Sequence, residues 1–281
     1  MTRCLYIIGN GFDLHYGLHT GVDTFKRILA SKYIEYLNMN ALDSFGLYGV
    51  HWGEFEQSLA GMNLEAIKNV VLSYPDYLSD RESDREDCIY NTNFHVTQLH
   101  EAVDNSLTDM IQNADSELNY IDPNKTDIIP LSGPIISFNY TNTIEALYGI
   151  SDIFHIHGLY GEDENLIFGY KDINEKTILP DLEEDYYVTT QINDINEFYY
   201  SYKKEIQLNR LNLFLQEIGT IDIVCVYGHS MSPVDSVYFE LIDQVLNPAI
   251  WKVSCYNCDD PVICNCKLYS FYKKIQMFDF D

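Results

Sequence analysis

Short, mainly apolar runs, most of them without strict alternation and closed by a glycine or a polar residue, restrict the fold of this chain more than any other feature. The first, "LYII" at residues 5–8, breaks into Gly9-Asn10-Gly11. Others lie at 134–140, 153–156, 166–169, 221–227 and 251–256. Apolar runs without alternation suit strands covered on both faces, the pattern of a parallel sheet. Between them, residues 23–37, 54–71, 94–113, 142–148, 191–218 and 234–245 carry apolar positions near helical spacing. Strands alternating with helices predict an α/β fold with a doubly wound, mostly parallel, Rossmann-type sheet. The block at about 53–125 reads as a helical insertion, and its charged stretch "SDRESDRED" at 79–87 reads as a solvated loop. At 281 residues the chain is expected to form one domain, 1–281, with that insertion inside it.

Charge narrows the partners. Seventeen Lys plus Arg against 43 Asp plus Glu give a net charge of -26, which repels a polyanion at long range, so no direct contact with nucleic acid is expected. A small anion is still admissible at a helix start. No run reaches the ~18 to 20 apolar residues of a membrane span, and the first run ends too early for a signal-peptide core. A cytoplasmic protein without a membrane partner is therefore expected. Seven Cys, an odd number, suit reduced thiols. Cys255, Cys258, Cys264 and Cys266 are close enough to hold a structural zinc or to pack as small apolar groups, and no metal is expected to be required.

Polar residues at the carboxyl ends of the apolar runs are the candidates for chemistry, because ligands of open α/β sheets bind there. Gly9, Asn10, Gly11, Phe12, Asp13 and Gly17 form a strand-to-helix turn with the parts of a phosphate site, or a plain turn; Thr20 is a candidate helix cap. Asn139 closes the second run, and Thr141 or Asn142 starts a helix. His155 and His157, two apart on a strand, are expected to point the same way, as a metal pair, a general base with a neighbour, or two satisfied core histidines. His157 precedes Gly158 at a strand end, where a base reaches a ligand. Gly228, His229, Ser230 and Asp235 repeat the logic after the run at 221–227. Ser230 does not sit in a Gly-x-Ser-x-Gly elbow, which disfavours it as a nucleophile.

In chain order, "IIGNGFDLHYGLHT", "FNYTNTIEALYG", "HIHG", "LIFGY" and "GHSMSPVD" resemble the AbiH family of phage abortive infection proteins, itself similar to the sirtuin-like NAD-binding fold. The resemblance implies that Gly9-Asn10-Gly11 and the segment with Gly17 cradle the dinucleotide diphosphate. It further implies that Asn139 contacts the nicotinamide ribose, that His157 is the catalytic base, and that Gly228 and Ser230 hold the adenosine half. It departs from a sirtuin at Asn10, at Thr141 where an acid is usual, and in having no Cys-x-x-Cys module in the middle of the chain. The function implied is an NAD glycohydrolase that depletes NAD on infection, with NAD as substrate. The alternatives are a non-catalytic nucleotide-binding module and an NAD-dependent deacylase. Such an activity must be held off before infection, so a sensor or regulatory protein, a nucleotide signal or a homo- or hetero-oligomer is expected as partner.

Overall fold

The computed structural model describes residues 2–34, 52–121, 129–162, 166–180, 185–257 and 260–280. Strands β1 (Cys4–Ile8), β2 (Ile135–Ser137), β3 (Phe154–His155), β4 (Ile223–Tyr227), β5 (Ile250–Cys255) and β6 (Ile275–Asp279) form one sheet in the order β3-β2-β1-β4-β5-β6. Every pairing is parallel. This is the order of doubly wound dinucleotide-binding sheets, whose direction of winding reverses between β1 and β4. Ile8 pairs with both Ser137 and Tyr227, so β2, β1 and β4 finish level and their next residues share one crevice.

The connecting helices are α1 (Asn10–His15), α2 (Val22–Ile28), α3 (Trp52–Leu59), α4 (Leu64–Val71), α5 (Glu82–Leu118), α6 (Thr143–Tyr148), α7 (Tyr186–Ser201), α8 (Leu208–Ile218), α9 (Ser236–Leu246) and α10 (Pro261–Asn265). Period-two burial explains the layers. Leu5 and Ile7 join Val224, Val226, Leu211 and Phe239 in one core, whereas Tyr6 and Ile8 join Phe12 and Ile144 in another. A third core is made by helices: Phe25 of α2, Phe55 of α3, Ile67 of α4, Leu99 and Val103 of α5, and Ile195 and Tyr199 of α7. The helical part therefore draws on α2 and α7 as well as on residues 53–125.

Several local expectations change. The stretch at 79–87 is loop only to Arg81; from Glu82 it is the first turn of the 37-residue α5. Glu82 and Asp84 favour a helix start electrostatically, and Cys88, Thr92, Val96, Leu99 and Val103 continue a buried stripe at helical spacing. The run at 166–169 is not a strand: Ile167 N donates to His157 O at 2.8 Å, and Tyr140 Oη donates to Ile167 O at 2.8 Å. The helix expected at 54–71 turns at Ala60–Met62, and the one at 191–218 is cut between α7 and α8. The helix expected at 23–37 runs as α2 and then a π-type turn, Leu29–Ile34; its end lies outside the described residues. Strand β6, with its charged and polar edge residues, carries too weak an apolar pattern to read from sequence.

Candidate active site at the strand switch

A cavity of about 770 Å³ lies beyond the carboxyl ends of the strands, within the ~300–1,000 Å³ range of small-molecule sites. The segments after β1, β2, β3, β4 and β5 all reach it, through Asn10, Asn139, His157, Gly228 and Tyr256 among others. Helix α3 covers it with Trp52, Gly53 and Glu56. A Cβ on Gly53 would stand 2.2 Å from Ser232 Cβ, so only glycine lets this helix sit so close to the β4–α9 turn. Trp52 Nε1 donates to Thr20 O at 2.8 Å and ties the helix to the segment after α1. Gly228 has φ +64°, and a Cβ there would stand 2.2 Å from Phe12 N. That contact brings the two strand-end turns together.

On one side of the cavity Asp13 is buried. Its Oδ2 accepts from Thr141 Oγ1 at 2.7 Å, and Thr143 Oγ1 donates to Thr141 Oγ1 at 3.1 Å. Burial pushes the Asp13 carboxyl up to about 6 against the pull of the Thr141 hydrogen bond. Asn139 donates through Nδ2 to Gly9 O at 3.2 Å. Asp13 Oδ1 and Asn139 Oδ1 are buried without a hydrogen-bond partner among the described residues.

On the other side lies a charge network. Buried Lys204 donates to Asp235 Oδ1 at 2.9 Å and to Glu56 Oε1 and Oε2 at 3.1 and 3.3 Å. Asp235 Oδ1 is 3.5 Å from His157 Nε2, and Asp235 Oδ2 is 3.6 Å from His229 Nε2. Both distances are too long for a hydrogen bond and short enough to become one with a small shift. Met231 N donates to His229 Nδ1 at 2.8 Å, which leaves the His229 proton on Nε2. Phe138 meets both imidazoles edge-on, with centroids 5.0 Å from His157 and 4.5 Å from His229.

The electrostatics follow from this packing. Burial alone would raise Asp235, but the Lys204 ammonium, with His157 and His229, outweighs it and holds the carboxyl well below its usual range. Burial pushes Glu56 up to about 7, with Lys204 opposing. Burial, helped by Lys204, pushes His157 down to about 4, so its imidazole is neutral at physiological pH.

Of the residues singled out from sequence, Asn10, Gly11, Asp13, Asn139, Thr141, His157, Gly228, His229, Ser230 and Asp235 line the cavity. Gly9 stands behind it, accepting from Asn139. Phe12 is core, against Tyr16, Tyr148 and Phe280. Gly17 is exposed in the turn after α1, with φ +82°, and does not line the cavity. The N–H groups of Gly11 and Phe12 are not free for a phosphate: they donate to Gly228 O at 2.7 Å and Gly9 O at 2.9 Å. Thr20, Thr141 and Asn142 make no side-chain cap; the caps of α2 and α6 are Gly21 and Asn142, without side-chain hydrogen bonds.

His155 and His157 part company because β3 ends at His155. His155 contacts Asn139 O through Nδ1 at 3.2 Å and Glu145 Oε1 through Nε2 at 2.8 Å. Glu56 and Lys204 are additions that sequence reading missed. Cys255 donates to Phe278 O and Cys266 to Met231 Sδ, while Cys258 lies outside the described residues. Among the described residues no group of three His, Cys, Asp or Glu is placed to hold a metal ion, and no helix is long and apolar enough to cross a membrane.

Fold and site together define a Rossmann-like α/β protein with its ligand crevice at the strand switch. The family model for bacteriophage abortive infection AbiH matches residues 5–255, and the chain belongs to that family. No curated protein and no solved structure matches it.

Proposed function

We propose that this protein is a phage-defence effector that hydrolyses NAD to nicotinamide and ADP-ribose and so depletes NAD in the infected cell. Family membership supports the defence role. The observation that carries the chemistry is the grouping of Asn139, Asp13 and neutral His157 around one cavity at the strand switch. Nicotinamide leaves as a neutral molecule from a cationic ring, so the bond to C1′ breaks without a strong acid. Asn139 holds the ribose and orients the carboxamide. Water that has added to the cationic sugar is itself strongly acidic, so a base as weak as His157 suffices to take its proton. Asp235, kept ionised by Lys204, stabilises the imidazolium that forms.

The sirtuin-like reading rests on the motifs at Gly9–Gly11, Asn139, His157 and Gly228–Ser230. The cytoplasm is where this substrate is met, and control before infection falls to a sensor or regulatory protein, a nucleotide signal or a change of oligomer. The test is NAD content during infection of cells carrying wild type or Asn139→Ala, together with nicotinamide release by the purified protein with its trigger. Wild type is expected to lose NAD and the variant to keep it. Equal NAD levels, or phage protection that survives His157→Ala, would point to a non-catalytic nucleotide-binding module instead.

A further inference from the structure

Asp13 is about 1% exposed, lines the cavity, and has one oxygen held by Thr141 and the other without a partner among the described residues. A buried carboxylate oxygen left open is costly unless something meets it in the working state. Among the described residues no such cation is in place. No Lys or Arg is among the described residues of the cavity wall, and Lys204 is taken up by Glu56 and Asp235. Asn139, close enough to act on Asp13, brings a second unpartnered acceptor. With the Gly11 and Phe12 N–H groups already engaged, this part of the wall favours a group that donates hydrogen bonds and carries positive charge over a diphosphate.

We infer that Asp13 is a catalytic carboxylate of this site: it accepts from a ribose hydroxyl of a pyridinium ribosyl substrate and faces the positive charge that moves onto the sugar. The inference rests on the proposed cleavage of NAD. In that step the C1′–N bond breaks and both electrons stay on nitrogen, which becomes neutral. The charge passes to C1′ and the ring oxygen. Water adds at C1′, and its proton goes to His157 and then to solvent. Asp13 exchanges no proton; it is fixed in place before the charge arrives, which makes it worth more than a solvated carboxylate. The groups that bear on it are Thr141, which donates to Oδ2, Thr143 and Asn139 as nearby donors, and Asp115 of α5 by charge. Its position near 6 leaves it mostly ionised at neutral pH.

The test compares wild type and Asp13→Asn in two assays: nicotinamide release from NAD, and NMR-detected binding of nicotinamide riboside, a pyridinium ribosyl cation without the diphosphate. The variant is expected to lose about 100-fold in kcat and about tenfold in riboside affinity while melting cooperatively. Values within about threefold of wild type in both assays overturn the inference, as does a loss confined to KM. Wild type that binds the riboside through Asp13 and releases no nicotinamide sinks the hydrolysis reading and leaves the subsite standing. Wild type that ignores the riboside sinks the subsite. If Asp13→Asn does not fold, Thr141→Val, which removes the partner of Oδ2, has to weaken riboside binding for the inference to survive.

Discussion

Across one cavity, two groups of buried acids are treated differently. Glu56 and Asp235 share the Lys204 ammonium, and Asp235 also faces two imidazoles, so each charge there has a partner within the fold. Asp13 has the Thr141 hydroxyl on one oxygen and, among the described residues of the cavity wall, no Lys or Arg. A closed network keeps its geometry whether or not a ligand is present; an open one is completed by something else. The first arrangement suits a positioning device that fixes the His157 and His229 rings relative to Asp235. The second suits contact with substrate.

The largest effect should come from breaking the closed side. Lys204→Met leaves Glu56 and Asp235 buried with their shared cation gone, and removal of one partner from a buried ion pair costs about 3–5 kcal/mol. Urea unfolding at pH 7 measures this. Combining the change with Glu56→Gln removes one stranded carboxyl and should restore part of the loss. A double variant no more stable than Lys204→Met would mean that Glu56 is not part of the network.

That network also marks where the sequence stops being readable. Asn139, His157 and Gly228 were legible because each follows a mainly apolar run, and the end of such a run in a parallel sheet faces the crevice by topology alone. Glu56 and Lys204 follow no such rule. Each sits in a charged, ordinary-looking string, "WGEFEQ" and "YKKEIQ", and a buried charge has the same letter as a solvated one. Lys204 is delivered inward because the chain between α7 and α8 opens to bond with the segment after Gly169: Tyr170 N donates to Tyr202 O at 2.9 Å and Lys204 N to Tyr170 O at 2.7 Å. That pairing is non-local and leaves no periodic trace. The parting of His155 and His157 was hidden for a related reason. Strand parity predicts a shared face only while the strand lasts, and β3 stops between them.

On the open side the expected sign reverses, and the effect is smaller. The folded pKa of Asp13, about 6, lies above its unfolded value near 3.9. The folded state therefore binds the proton more tightly, and stability rises as pH falls from above 6 to below 3.9. Above pH 6 the ionised group costs the fold roughly 2–4 kcal/mol. Asp13→Asn should accordingly be more stable than wild type at pH 7, with the advantage gone below pH 4. Chemical unfolding at the two pH values checks it. A variant destabilised at pH 7 would place Asp13 with the structural acids and erase the contrast with Lys204.

The finest test of the same contrast is the single hydroxyl on Asp13. Thr141 lowers the carboxyl by donating to Oδ2, and one such hydrogen bond is worth about 1 kcal/mol. Thr141→Val should therefore move the Asp13 midpoint upward from about 6 by somewhat less than one pH unit, since one unit is about 1.4 kcal/mol. If the ionised form is the working one, the acidic limb of the rate profile for nicotinamide release must move to higher pH by the same amount. Thr141→Ser, which keeps the donor, should return the limb to its original place. A limb unmoved in Thr141→Val would mean that it reports some other group. Glu56, pushed to about 7 on the closed side, is the first to examine, because Glu56→Gln should then abolish the limb that Thr141→Val leaves untouched.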